Sequence, residues 1–248
     1  MSGLLLFRMA GASFVGSPAS PAILEEGFFI SDRCWSNIQA AVSGDFLFNK
    51  RLRTCRTSQG LGINHTEMSW TLAVCDVAWD IRERFSIHLL AGPAASVKFE
   101  WQQSKAALHM SSSRGMFWGG CAKLILLEMQ DTTLGVDFQG GGIDWMQGSV
   151  SMNGVSLSEK FYSRLYFWQL AAGLSSKVDI FRPYAGVAIN QMDCIIRSAL
   201  FKKLRFHDLV EVGMYEGCSI IVNPKSSLSV EARQFFEWGL VLSGEIRF

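Results

Sequence analysis

Long hydrophobic runs are what this 248-residue sequence lacks most clearly. A membrane-spanning helix needs about 18 consecutive apolar residues, and the longest candidates, such as LILLEM at 124–129, are soon interrupted. Yet 49% of the residues are hydrophobic and only 18% are charged, against about 25% charged residues in a typical soluble domain. Dispersed apolarity with little charge excludes helical spans and favours either a β-barrel facing lipid or a large soluble β-sandwich.

An excess of one charge sign and recognisable catalytic motifs are also lacking. The net charge is +1, so no basic field indicates nucleic acid. The histidines show no H-E-x-x-H or Ser-His-Asp spacing, and the cysteines show no metal-ligand spacing. The glycine run at 140–142 lacks the G-x-G-x-x-G fingerprint. We therefore expect no enzyme activity, no cofactor, no metal site and no nucleic-acid partner.

Alternation with a period of two is what the sequence has instead. In WGLVLSGEIRF, Trp238 to Phe248, every second residue is apolar or glycine, and the residues between are mostly polar. This is the pattern of a β-strand with two different environments. The same pattern recurs at 36–49, 85–91, 133–140, 168–177 and 227–234. These strands have about the ten residues that a tilted membrane β-strand requires.

The connectors between strands alternate in length along the chain. Short polar connectors lie at 80–84, 128–132, 177–180 and 223–226, and long ones lie at about 50–68, 98–114, 141–164 and 191–209. This layout predicts an all-β, antiparallel, up-and-down transmembrane β-barrel with short periplasmic turns and longer external loops. Ten strands are legible, and hairpins inside the long connectors extend the range to 10–16. A single barrel domain is expected over 13–248.

Aromatic residues near the strand ends favour the membrane barrel over a soluble one. A soluble sandwich or a lipocalin-like barrel also alternates, but it needs no aromatic belts. Trp70, Trp118, Trp168 and Trp238 lie near the loop-side ends, and Phe85, Phe181 and Trp79 lie near the turn side. Two such belts mark the two membrane interfaces.

The polar residues of the alternating strands predict what faces the lumen. The pore-lining candidates are Asp45, Lys123, Asp137, Lys177, Arg182, Glu231, Arg233 and Glu245. Charged rings set ion selectivity in a water-filled pore, and mixed signs predict weak selectivity. The alternative is that interior pairs brace a narrow barrel, because about eight strands leave an interior just filled by side chains and sixteen leave an aqueous pore.

The six cysteines and the first residues leave alternatives open. An even number of cysteines fits disulfides in an oxidising compartment, whereas buried thiols fit a reducing one. The segment 1–12 contains a short apolar run, Leu4 to Phe7, and an A-x-A pattern at Ala10–Gly11–Ala12, which is consistent with a truncated secretory signal.

Several blocks of the chain resemble one known family, the chlamydial major outer membrane protein and its relative porin B. The blocks are FWGGCAKLILLEMQDTTLGVDFQ at 117–139, FWQLAAGLSSKVDIFRPYAGVAIN at 167–190, VGSPASPAILEEG at 15–27, and the last 36 residues at 213–248. Their order and gapless lengths make the resemblance specific from about residue 13 onward. The external connectors between the matched blocks are shorter here than in that family.

The resemblance implies a porin of the bacterial outer membrane that passes ions and small hydrophilic solutes. It also implies a homotrimer and disulfide links to other envelope proteins, for which the candidates are Cys34, Cys55, Cys194 and Cys218. The C-terminal residues Leu240, Leu242, Ile246 and Phe248 resemble the signal that outer-membrane barrels present to the barrel assembly machinery. The alternative function is a non-conducting structural or surface barrel in contact with outer-membrane lipid.

Overall fold

The computed structural model describes residues 9–10, 16–17, 36–54, 65–81, 84–103, 106–198, 203–207, 211–234 and 236–248. These residues form twelve β-strands. The strands are β1 (Met9–Ala10), β2 (Ser36–Thr54), β3 (His65–Ile81), β4 (Phe85–Gln103), β5 (Ala106–Met129), β6 (Thr132–Met152), β7 (Val155–Ser176), β8 (Phe181–Ser198), β9 (Leu204–His207), β10 (Glu211–Asn223), β11 (Ser226–Gln234) and β12 (Phe236–Arg247). No helix among these residues is long and apolar enough to cross a membrane.

Ten long strands close into one barrel. The strands β2 to β8 and β10 to β12 pair antiparallel with their neighbours, and β12 pairs antiparallel with β2 to complete the ring. At this seam Val241 lies opposite Asp45 and Leu242 opposite Gly44. Closure leaves no unpaired edge, which a membrane requires because lipid offers no hydrogen-bond partners. The prediction of an all-β, up-and-down barrel with ten strands is confirmed.

The four short connectors predicted from the sequence are tight turns at one end of the barrel, here called the turn end. The β10–β11 turn is stabilised by Asn223, whose side-chain oxygen accepts from the Lys225 backbone N–H at 2.8 Å. Gln130 and Asp179 adopt positive φ angles of 48° and 58° in two other turns. Asparagine, proline and aspartate at these points are the residues that such turns favour.

The described residues of the long external loops predicted from the sequence are mostly strand, which corrects that expectation for 98–114 and 141–164. β4 and β5 contain every described residue of 98–114, and β5 reaches 24 residues. β6 and β7 fill 141–164 apart from the Asn153–Gly154 turn. In these extensions the alternation is inverted. Phe99 is buried inside the barrel, while its neighbours Lys98 and Glu100 are exposed outside.

A short strand changes the number of strands around the opposite end, here called the far end. β10, β11 and β12 have only 13, 9 and 12 residues. β9 pairs with Asp193–Ile196 of β8 and with Arg53–Thr54 of β2. The far end is therefore closed by eight strands, β2 to β9, above a ten-stranded turn end.

Candidate functional site in the barrel interior

The interior of the far end is packed mainly with apolar side chains. One charged residue is buried among them: Lys50, opposite Met68 in the β2–β3 register, has no exposed surface. Phe99 and Phe161 meet edge to face with ring centroids 6.5 Å apart, and Trp101 packs on Phe206 at 5.7 Å. Phe99, Phe161 and Phe206 are fully buried. Trp70 also belongs to this cluster, so its predicted place in an external aromatic belt is wrong. Its even position on β3 points it inward.

The interior of the turn end is polar, as strand parity predicts. Of the pore-lining candidates, Asp45, Lys123, Asp137, Arg182, Glu231 and Arg233 are buried in the barrel, and Glu245 is half-buried. Lys177 instead lies in the turn after β7 and is half-buried there. Whether these side chains line a conducting pore stays a prediction.

Arg233 and Asp45 form a buried ion pair across the barrel seam. Arg233 lies on β11 and Asp45 lies on β2, so the pair passes over β12, which separates them. Gly239 of β12 makes the passage possible, because a Cβ there would lie 2.6 Å from Arg233 Nη2. Sequence parity places both residues inside but does not identify them as partners, since 188 residues separate them.

A second polar group joins β5 and β6. Lys123 and Asp137 lie opposite each other in the β5–β6 register. The Cys121 thiol donates to Asp137 Oδ2 at 2.9 Å. These three buried groups lie together on the inward face, an arrangement that fits the bracing alternative.

The structure also brings together a Ser–His–Asp chain that linear spacing did not suggest. The His88 imidazole lies 2.9 Å from Ser86 Oγ through Nε2 and 2.8 Å from Asp76 Oδ2 through Nδ1. The three residues share the inward face of β3 and β4, and that shared parity is the signal that could have grouped them. Ser86 is fully buried, whereas His88 and Asp76 line the two interior cavities described below. Within the described ranges no group of His, Cys, Asp and Glu side chains could hold a metal ion.

Part of the N-terminal segment lies inside the polar half. The Gly16 backbone N–H donates to Glu231 Oε2 at 2.9 Å, and the Tyr184 hydroxyl lies 3.4 Å from the same oxygen. Ser17 is buried beside it. Gly16 and Ser17 line an interior cavity of about 30 Å³ together with Glu245. Of the predicted signal segment 1–12, the structure describes Met9–Ala10 alone, and the other residues lie outside the described ranges.

The second interior cavity marks the boundary between the two layers. It also measures about 30 Å³, and Asp45, His88 and Cys121 line its polar side while Phe117 and Leu90 line its apolar side. A cavity of this size holds about one water molecule.

The four cysteines that the structure describes are free thiols. Cys194 was expected in an external loop, but it lies on β8 with no exposed surface, inside the apolar cluster. That placement corrects its role as an exposed cross-linking candidate. Cys218 is half-buried on the outward face of β10. Cys34 and Cys55 lie outside the described residues.

The exterior of the turn-end half is apolar and ringed by aromatic residues. Leu89 is 70% exposed, and Trp118, Trp168, Trp238 and Trp79 are exposed as well. The terminal Phe248 donates its backbone N–H to Ile38 O at 3.0 Å, which pins the end of the chain to β2. Leu242, Ile246 and Phe248 are exposed and Leu240 is half-buried on the same outward row. An apolar exterior on a closed barrel is the arrangement of a transmembrane β-barrel.

Comparison with known proteins finds likeness in structure alone. No family model matches, and no curated protein matches. The chain is similar to the outer membrane protease OmpT of Escherichia coli, with 14% identity and a TM-score of 0.49 over 90% of this chain and 97% of that one. It is also similar to the translocator domain of the autotransporter NalP of Neisseria meningitidis, with 10% identity and a TM-score of 0.48 over 88% and 90%. Its own closed ring and apolar exterior make this chain a β-barrel of the outer-membrane type.

Proposed function

We propose that this chain is a non-conducting barrel of the bacterial outer membrane that serves a structural or surface role. The observation that carries the proposal is the apolar layer inside the eight-stranded far end. Short turns of outer-membrane barrels face the periplasm, so the far end faces outward. The end of the barrel that is filled by side chains would then lie at the cell surface.

The physical argument concerns what an ion would have to cross. About eight strands leave an interior just filled by side chains. Here that interior is filled mainly by aromatic and aliphatic groups such as Phe99, Phe161 and Phe206, packed around the buried Lys50. Ions need polar groups that replace their hydration shell, and an apolar constriction excludes water. The packed layer therefore supports a closed barrel.

Porin-like diffusion, which the family resemblance implies, is the second candidate. The polar lumen of the turn-end half favours it, since charged side chains face inward there. Against it, Arg233 pairs with Asp45 and Glu231 accepts from Gly16. A disulfide-linked envelope role stays a proposal that depends mainly on Cys34 and Cys55.

Planar-bilayer recording of the refolded chain tests the proposal. Insertion is first established by flotation with vesicles and by a heat-dependent shift on a gel. We expect folded, inserted protein to give no discrete current steps. Regular ohmic steps from the intact chain would overturn the proposal in favour of the porin.

The interior is filled by the apolar layer of the far end and by the N-terminal segment. A variant lacking residues 1–17 tests which of the two blocks the barrel. We expect it to remain silent, because the apolar layer does not depend on Gly16 or Ser17. Steps that appear only in this variant would contradict the apolar layer as the barrier and would assign that role to the N-terminal segment.

A further inference from the structure

A carboxylate lies on the outward face of the barrel, inside the apolar band. Glu216 is exposed on β10, and the outward row of that strand continues with Val212 and Met214 on one side and Ile220 and Val222 on the other. The neighbouring strands place Ala185 of β8 and Ala232 of β11 directly opposite Glu216. Its surroundings on the barrel surface are therefore apolar apart from the side chain of Gln234.

The position of Glu216 lies between the two interfaces. Phe181, in the aromatic belt of the turn end, pairs with Ile220, which is four residues from Glu216, or roughly 13 Å along the strand at about 3.3 Å per residue. On the other side, Ala232 pairs with Leu240, two residues from the exposed Trp238. Two residues span about 7 Å along a strand, so Glu216 lies inside the apolar band but nearer to the Trp238 side. Ionisable groups within the apolar band are costly and mark functional sites by default.

The side chains around Glu216 are small and leave a groove. Its walls include Pro183, Ala185, Cys218, Val230 and Ala232, and its volume is about 570 Å³. Small residues let two membrane segments approach closely. Lipid tails would fill such a groove but would offer the carboxylate no hydrogen-bond donor.

The Glu216 groove contains both hydrogen-bond donors and hydrogen-bond acceptors, so two copies of it can bond to each other. Gln234 Nε2 donates to Glu216 Oε1 at 3.3 Å, and a side-chain amide has a second N–H and a carbonyl oxygen while a carboxylate has several acceptor sites. A two-fold interface brings the same patch of two subunits together. Gln234 of one copy would then donate to Glu216 of the other, and each amide would serve both carboxylates.

From these observations we propose that a second copy of this chain docks in the Glu216 groove through a two-fold interface. The contact involves β8, β10 and β11 and leaves the barrel interior unchanged. A three-fold assembly would bring unlike patches together, so it would not place identical residues of this groove against each other.

Native thiols allow a direct test in lipid vesicles. Cys218 lies in the groove, two residues from Glu216. Cys75 is an exposed thiol on β3, four strands away around the ring. Two proteins are compared with Cys34 and Cys55 replaced by serine, one also carrying Cys75→Ser and the other Cys218→Ser. Oxidation with copper phenanthroline or a short bifunctional thiol reagent, followed by a non-reducing gel, reports the contact.

We expect a covalent dimer from the Cys218 protein and little from the Cys75 protein, whose thiol reports random collisions. Glu216→Leu should lower the Cys218 dimer several-fold, and Glu216→Gln, which keeps hydrogen-bonding groups, should retain most of it. Equal yields from the two thiols, or no dimer, would show that lipid covers the groove and would overturn the proposal. A yield unchanged by Glu216→Leu would also overturn it. The heat-dependent gel shift verifies folding, and the bilayer recording is independent of this result.

Discussion

At the scale of single residues, the seam of the barrel depends on a glycine. Arg233 reaches Asp45 by crossing β12 at Gly239, where any Cβ would lie 2.6 Å from Nη2 and 2.9 Å from Nε. Both atoms belong to a nearly fully buried guanidinium. Displacing one member of a buried ion pair leaves the charge of the other member uncompensated. This lowers the free energy of unfolding by about 3–5 kcal/mol.

Gly239→Ala should therefore destabilise the barrel by a substantial part of that amount, because the methyl group displaces Arg233 from Asp45. The measurement is urea unfolding of the barrel in lipid vesicles, followed by the gel shift. Gly244→Ala on the same strand is the matched control, since its Cβ would meet only Leu228 Cδ2 at 3.4 Å, an ordinary contact. We expect the control to stay within about 1 kcal/mol of the parent. Equal effects of the two substitutions would count against the crossing arrangement.

At the scale of elements, the alternation in the sequence predicts the strands well within the membrane and poorly outside it. Between the interfaces apolar residues face outward, so the ten strands and four turns follow from local sequence. Beyond the interface the outside is water and the apolar residues turn inward, as Phe99 shows between Lys98 and Glu100. The strand continues there, but its apolar residues move from the outward face to the inward face. These residues no longer match the pattern of a membrane strand, and the sequence therefore predicts a loop.

The candidate site shows the same division between local and distant information. Parity identifies Asp45, Lys123 and Asp137 as inward residues, because parity is a property of one strand. The partners of these residues depend on the register and closure of the whole ring, as for Asp45 and Arg233. The four-residue β9 has too short a pattern to be recognised, although it decides that eight strands close the far end.

β9 offers a test of that closure. Phe206 is fully buried and packs against Trp101, so Phe206→Ala should cost about 3–5 kcal/mol. We expect the loss to appear in the far end first, as faster hydrogen exchange in β8 and β9, while the ten-stranded half keeps its protection. Arg205→Ala is the control. Its exposed pair with Asp193, at 3.4 Å, is worth at most about 1 kcal/mol.

At the scale of the whole molecule, the barrel has two layers with opposite demands. The ten-stranded layer is mainly apolar outside and polar inside, and the eight-stranded layer above it is polar outside and mainly apolar inside. The polar interior is occupied by its own ion pairs and by Gly16 and Ser17. A solvent path would have to pass the boundary between the layers, where Cys121 lines the small interior cavity.

Cys121 therefore reports whether water reaches the centre of the molecule. Cys75 and Cys218 lie on the membrane-facing exterior and Cys194 is sealed in the apolar cluster, so a charged, membrane-impermeant thiol reagent could reach only Cys121 through an open pore. With Cys34 and Cys55 replaced by serine, we expect no labelling of the folded barrel from either side of the vesicle and full labelling after urea unfolding. Lys225→Cys, in an exposed turn, supplies the positive control for access to the folded protein.

Rapid labelling of Cys121 in the folded state would show an aqueous path into the polar half. Because that path could end below the apolar layer, such labelling combined with silent bilayer recordings would place the barrier at the far end, whereas labelling combined with current steps would establish the pore.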